Sequence, residues 1–324
     1  QFDSTIRRTE EMLQQRTLDI DLDLVEHTSD TAFFDLRLEN RAGHKFPSGY
    51  PSRRAFVEFV VLDADDDTVF ASGRIDATYE VLCHDALYEP HYDVITAPDQ
   101  VRIYELVMGD VNDAPTTVLE RAKSPLKDNR LVPLGFITTH PSYDTTLIAG
   151  NVLMDPDFNR TALDEEGSGS DVVHYHVPVA GVNGALQVVA RVFYQPMPPA
   201  WNAEMFSTSS AHIDSFRTML DASDGTPTLV ASDSLGIGPL GVGELVGDRV
   251  HVMPNPTQDG WVIAQAGPDD RVMIIGLFDA RGRAVPLVNE RYGTAWRIQL
   301  PATGVYYLHL RVNGSSVVKR VIRQ

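Results

Sequence analysis

The chain has 324 residues, with 45 acidic side chains against 27 lysines and arginines and a formal net charge of −18 at pH 7. That charge, with no basic stripe to offset it, repels nucleic-acid phosphate and anionic membrane, and excludes a nucleic-acid-binding role. One cysteine, Cys83, rules out an internal disulfide; there is no Cys-x-x-Cys-His haem-attachment motif, and no apolar run reaches the length of a membrane span.

Residues 4–16 are expected to form a short amphipathic helix, with Ser4 as N-cap and Ile6, Thr9, Met12 and Leu13 on one face. Leu18, Ile20, Leu22 and Leu24 then alternate with acidic residues, the period of a half-buried strand. A second strand is expected at 31–39 and a central one at 54–62, the latter joined by Asp63-Ala64-Asp65-Asp66-Asp67 to Val69-Phe70 in a hairpin. Strands are predicted at 101–108 and 116–122. Residues 123–170, rich in Pro, Gly and Asp, read as a long loop region with short elements. Strands return at 171–178 and 185–195, and Pro196, Pro198 and Pro199 end the pattern because proline donates nothing to a ladder. Residues 202–221 read as helix. A Gly- and Ser-rich stretch at 222–247 reads as a linker, and short strands from Arg249 onward have the spacing of a compact sandwich.

The expected fold is mostly β. A β-sandwich main domain (17–221), with an N-terminal helix (1–16) and long loops, precedes the linker (222–247) and a small C-terminal β-sandwich (248–324). The chain begins at Gln1 rather than methionine, which is expected of a secreted protein that has lost a signal peptide, or of a fragment.

The last segment carries Pro254-Asn255-Pro256, then Asp279-Ala280-Arg281-Gly282-Arg283, then Gly304-Val305-Tyr306, and ends in a basic, apolar strand. In that order these resemble the C-terminal sorting domain of type IX secretion cargo. The resemblance implies export to the cell surface or medium, the type IX machinery as a partner, and no catalytic role for this segment. Physically, the two prolines fix an extended entry and block ladder pairing, Gly282 suits a hairpin turn, and the terminal strand offers an edge to a receptor.

The first 220 residues contain Gly43-His44-Lys45-Phe46-Pro47-Ser48-Gly49, followed in order by Pro90-His91-Tyr92-Asp93, Gln100-Val101-Arg102-Ile103-Tyr104-Glu105, Lys127-Asp128-Asn129-Arg130-Leu131, Asp155-Pro156-Asp157-Phe158, Gly169-Ser170-Asp171 and Tyr194-Gln195-Pro196. This set resembles the β-rich domain that follows the haem-binding region in many multihaem c-type cytochromes. The resemblance implies a module associated with extracellular electron transfer that carries no covalent haem itself. The haem would lie on an upstream region or a partner chain, and self-assembly into an oligomer or filament is a further expectation.

Several constellations bear on chemistry. His44 is a candidate haem contact or a loop-bracing residue. His174 and His176 lie two apart on one strand face, a chelate suited to copper or zinc, with His84, His91 or His140 as a third donor. Asp63, Asp65 and Asp67 form one candidate calcium loop, and Asp155 and Asp157 another, though neither has the glycine and closing glutamate of an EF-hand. There is no nucleophile elbow, phosphate loop or paired-carboxylate pattern. Three functions stay open: a non-catalytic module docking, capping or assembling a haem-bearing part; a secreted copper or zinc metalloenzyme using His174 and His176; and a surface adhesin or carbohydrate-binding module.

Overall fold

The computed structural model describes residues 2–82, 88–161, 163–238, 250–267, 270, 272–292, 295–312 and 315–324. Cys83 and His84, and the part of the expected linker at 239–247, lie outside them. The chain divides into two compact units, Gln1–Leu240 and Gly241–Gln324, and is mostly β, with 44% strand and 15% helix.

The first unit opens with α1 (Phe2–Arg16), three residues before the start that an N-cap at Ser4 sets, so Ser4 lies within the helix. β1 (Leu18–His27), β2 (Thr31–Asn40), β3 (Arg54–Leu62) and β4 (Thr68–Ser72) follow where the alternation places them. The strand expected at 101–108 is broken at Glu105. Short β5 (Val94–Ile95) and β6 (Ile103–Tyr104) precede β7 (Leu106–Gly109), and β6 and β7 pair with different neighbours. At 116–122 the expected strand is absent: β8 (Pro115–Thr116) gives way to a 3₁₀ turn at Leu119–Arg121. Next come β9 (Ser124–Asp128), β10 (Ser170–Pro178) and β11 (Leu186–Gln195). The helix expected at 202–221 is two helices, α2 (Pro199–Phe206) and α3 (Ala211–Asp221), the second capped by the Ser210 hydroxyl, which accepts from the Ile213 amide. β12 (Thr228–Ile237) then occupies the middle of the expected linker and pairs along β11, with Val230 buried. Its Gly and Ser residues mask an alternation that turns Ala231, Asp233, Leu235 and Ile237 inward, and a register shift beside Ala231 lets Val230 be buried as well.

Two sheets make this unit's sandwich, one in the order β1-β2-β10-β5 and the other β12-β11-β3-β4, with β6 also on β3. Phe34, Leu36 and Leu38 of β2 and Val173, Tyr175 and Val177 of β10 share a core with Val57, Phe59 and Val61 of β3 and Val188, Ala190 and Val192 of β11. The Phe59 and Tyr175 rings stack at 3.8 Å. β3 buries apolar side chains on both faces: its other face packs Phe56 with Val81, Val101 and Ile103, and pairs Glu58 with Arg191. On β12 the Asp233 carboxylate accepts from the Leu22 amide of β1, tying the edge of one sheet to the other.

The second unit is also a two-sheet sandwich. Its strands are β13 (His251–Met253), β14 (Trp261–Gln265), β15 (Val272–Asp279), β16 (Ala284–Val285), β17 (Val288–Tyr292), β18 (Ala295–Gln299), β19 (Gly304–Val312) and β20 (Ser315–Arg323). They order as β13-β14-β18-β17 and β16-β15-β19-β20, around Val262, Leu277, Ile298, Leu308, Leu310 and Val321.

Candidate functional site

The Gly43–Gly49 segment leaves β2 at Asn40, whose buried amide braces it. The Asn40 carbonyl oxygen accepts from the Ala42 amide, and its NH₂ donates to the carbonyls of His44 and Leu131. Lys45 turns inward: its ammonium donates to Asp128 at 2.8 Å and to the Leu147 carbonyl, while Arg130 grips the same Asp128 carboxylate through two nitrogens. Phe46 exchanges backbone hydrogen bonds with Leu131 and is buried. Arg54, at the start of β3, is buried and takes both Gln195 and Glu80 as partners. The polar residues of this segment therefore fix its shape. His44 remains exposed, its Nδ1 2.9 Å from the Lys45 carbonyl.

Behind the loop lies a buried ionic network. Asp171 takes an inward position on β10, two residues before Val173. Tyr104 donates to it at 2.6 Å, and Arg102 stands 3.7 Å away. Arg102 also lies 3.8 Å from Asp155, against the His91 ring, and donates to the Tyr92 carbonyl. His91 Nε2 donates to Asp155 at 2.7 Å while its Nδ1 accepts from Asn129, so the imidazole is neutral with its proton on Nε2. Burial, helped by Arg102, lowers His91 to about 3, and burial raises Asp171 to about 6. Lys127, also fully buried, donates to Glu105 and to the carbonyls of Glu89 and Ile103, and burial depresses it below the ordinary lysine range. Charges this far from water persist only when paired and hydrogen-bonded. The side chains of His91, Arg102, Asp155 and Asp171 are 1% exposed or less, so this histidine–carboxylate dyad is sealed from solvent.

A second cluster sits on the outer face of the same sheet. β10 runs between β2 and β5, and its register sets His174 opposite Asp35 on one side and beside Asp93 on the other. His174 Nδ1 is 2.6 Å from Asp35, and its Nε2 is 2.8 Å from Asp157 and 3.8 Å from Asp93. Burial alone would lower His174, but the hydrogen bonds to Asp157 and Asp35 outweigh it and raise it above its ordinary value. Asp157 reaches the site because its loop is anchored below, the Asp157 amide donating to Asp155.

These placements separate residues that the sequence groups together. His174 and His176 share a strand face but not a site: His176 packs edge-on against Phe33 at 4.8 Å, its cross-strand neighbour, while carboxylates hold His174. Among the described residues, two groups bring three ligand atoms within 4.8 Å of one another: His91, Asp155 and Asp171, and Asp93, Asp157 and His174. Asp155 and Asp157 thus serve different clusters, because adjacent-but-one residues of the loop point inward and outward. His140 accepts from the Ser142 amide. Asp63 spends one oxygen on the amides of Asp65 and Asp67, closing the turn, and the three carboxylates form no such group. Asp35, Asp93, Arg102 and Lys127 carry the two clusters yet went unassigned. Asp35 lies in a strand whose partner is 139 residues away, so no local spacing signals it.

In the second unit the Asn255 side chain stands in for a ladder. Its NH₂ donates to the Arg320 carbonyl and its oxygen accepts from the Ile322 amide, while the Thr257 amide donates to the Ile322 carbonyl. Pro254 and Pro256 cannot donate, and Asn255 supplies the missing pairing. The outer edge of β20 is therefore latched at its end, where an open edge was expected. Asp279 accepts from the amides of Arg281 and Arg283 around Gly282 (φ 75°), and Tyr306 donates to the Ala302 carbonyl in the turn that holds Gly304.

No family model and no curated protein matches the chain. Among solved structures it is similar to a penta-heme cytochrome c552 from Thermochromatium tepidum, at a TM-score of 0.41 and 16% identity, over 70% of this chain and 41% of that one. It is also similar to the T6 backbone pilin of serotype M6 Streptococcus pyogenes, at a TM-score of 0.20 and 8% identity, over 94% of this chain and 52% of that one. The chain thus spans about half the length of these proteins or less.

Proposed function

We propose that the first unit is a haem-free, extracellular β-rich module that docks or caps the haem-bearing part of a multihaem c-type cytochrome, and that the second unit is its type IX sorting domain. The observation that carries the docking role is α1. It has no buried residue, and it presents Phe2, Ile6 and Met12 at 86%, 57% and 44% exposure. Helices this short are marginal in water without a packed face. Leu13 touches the main core, and Thr5, Arg8, Met12, His44, Phe46 and Pro47 border a cleft of about 370 Å³ between helix and loop. A rigid loop with its lysine turned inward and an amphipathic helix whose exposed apolar side chains lie beside it suit a protein partner better than a small substrate. The convergence of the cytochrome-like motifs on one buried network supports reading them as the frame of this surface.

A photo-reactive amino acid at Ile6 tests the docking role in the cells that make the protein. The purified chain alone is expected to show no Soret band. Irradiation is expected to yield an adduct that stains for covalent haem, absent when the probe is at Glu11 on the opposite face. A haem-free adduct, or none, overturns the reading.

A further inference from the structure

We propose that Asp93, Asp157 and His174 form a binding site for one divalent first-row transition cation, of which zinc is the test case, with Asp35 as the carboxylate that orients the histidine.

Four separate segments build the arrangement. His174 projects from the central strand β10, Asp35 from β2, Asp93 from the residue before β5, and Asp157 from the loop beyond the 3₁₀ turn at Asn151–Met154. The register of three adjacent strands fixes the first three. The His174 amide donates to the Asp93 carbonyl, so those two backbones are joined. The fourth is held from below, since Asp155 of the same loop is locked to His91. Such support is what keeps metal ligands in place before the ion arrives.

The donor set matches a borderline ion. One imidazole nitrogen and two carboxylate oxygens suit zinc or manganese, whereas calcium and magnesium prefer all-oxygen shells. In a tetrahedral zinc site with bonds near 2.0–2.1 Å, neighbouring donor atoms stand about 3.3 Å apart. Here Nε2 lies 2.8 Å from the Asp157 oxygen and 3.8 Å from the Asp93 oxygen, on either side of that separation. Three protein donors leave a fourth position open for water.

Two further observations point the same way. Asp35 sits on Nδ1 at 2.6 Å, the outer carboxylate that metal-bound histidines ordinarily carry on their second nitrogen. Meanwhile Nε2 has one hydrogen, and Asp157 takes it. The Asp93 oxygen that faces Nε2 is shut off from water and accepts no hydrogen bond. Negative charge also accumulates around the His174 ring, because Asp35, Asp157 and Asp93 all lie within 3.8 Å of its two nitrogens. A divalent ion between Asp93, Asp157 and Nε2 would fill the orphaned oxygen's need and offset that charge.

Equilibrium dialysis of the whole chain against zinc, with elemental mass spectrometry and melting curves, tests the site. One zinc per chain and a raised melting temperature are expected for the native protein. D93N, D157N and H174Q should each weaken zinc binding tenfold or more and abolish the thermal shift, while their circular dichroism without metal stays native. H176Q should bind as the native chain does. The proposal is overturned by no zinc above a buffer blank, by a loss in H176Q equal to that in H174Q, by unchanged binding in D93N and D157N, or by calcium binding in preference to zinc.

Discussion

At the residue scale, two groups in the buried network have opposite effects on how stability depends on pH. His91 is held down to about 3 from its ordinary 6.5, so its contribution to stability is full above pH 6.5 and drains as pH falls toward 3. Asp171 is pushed up to about 6, so its contribution is full below its ordinary 3.8 and is lost as pH rises through 6. Between about pH 4 and 6 the unfolded chain carries a proton on His91, while the folded chain carries one on Asp171, and the two slopes cancel. His91→Gln removes the first slope and keeps a donor for Asp155. Measured by urea unfolding, its stability should therefore fall relative to the native chain by about 1.4 kcal/mol per pH unit as pH rises across that window. Parallel profiles would show that His91 does not titrate in this way. None of this was visible from residue order. His91 and Asp155 are 64 positions apart, and only the fold makes them a pair. The motif residues were noticeable as a set, but their roles come from burial, which spacing does not report.

At the element scale, reading succeeded where one face of a strand is wet and the other dry. The alternation of β1 and β2, and the apolar run of β3 interrupted at Glu58, placed those strands, with β1 running three residues past the last alternating leucine. It failed where pairing, rather than pattern, decides. β6 and β7 look like one strand because their residues are continuous, yet β6 joins β3 and β7 joins β9. β12 was missed for the opposite reason: its exposed face carries Ser232, Ser234 and Gly236, a composition that suits a flexible connector. Its inner face is not a connector's. Val230 and Ile237 are 2% and 9% exposed, and Asp233 holds the Leu22 amide. Burying two aliphatic side chains of this size contributes roughly 3–6 kcal/mol, before the backbone pairing along β11 is counted. A chain ending at residue 221 should accordingly be insoluble or melt more than 10 °C below one ending at residue 240, as read by thermal circular dichroism. Equal melting points would mean that β12 adds nothing to the sandwich.

At the scale of the whole molecule, the two units have separate cores, and no strand of one joins a sheet of the other among the described residues. A unit with a core of its own would suit the proposed address, which would have to fold when joined to different cargo. The proposed address has a defined physical feature. Asn255 latches the backbone of β20 at Arg320 and Ile322, so the last strand would meet the proposed receptor with that part of its edge already held. Recognition would then depend on the latched shape more than on a free edge. Residues 241–324 fused behind a fluorescent reporter should be exported by cells that possess type IX machinery, and retained by cells lacking it. Asn255→Ala leaves the two prolines in place but frees the Arg320 carbonyl and the Ile322 amide, and should lower export severalfold while the purified unit still folds. Export that persists undiminished in that variant would assign recognition to another part of the unit, such as the Asp279–Arg283 turn, and export in cells without the machinery would remove the sorting role altogether.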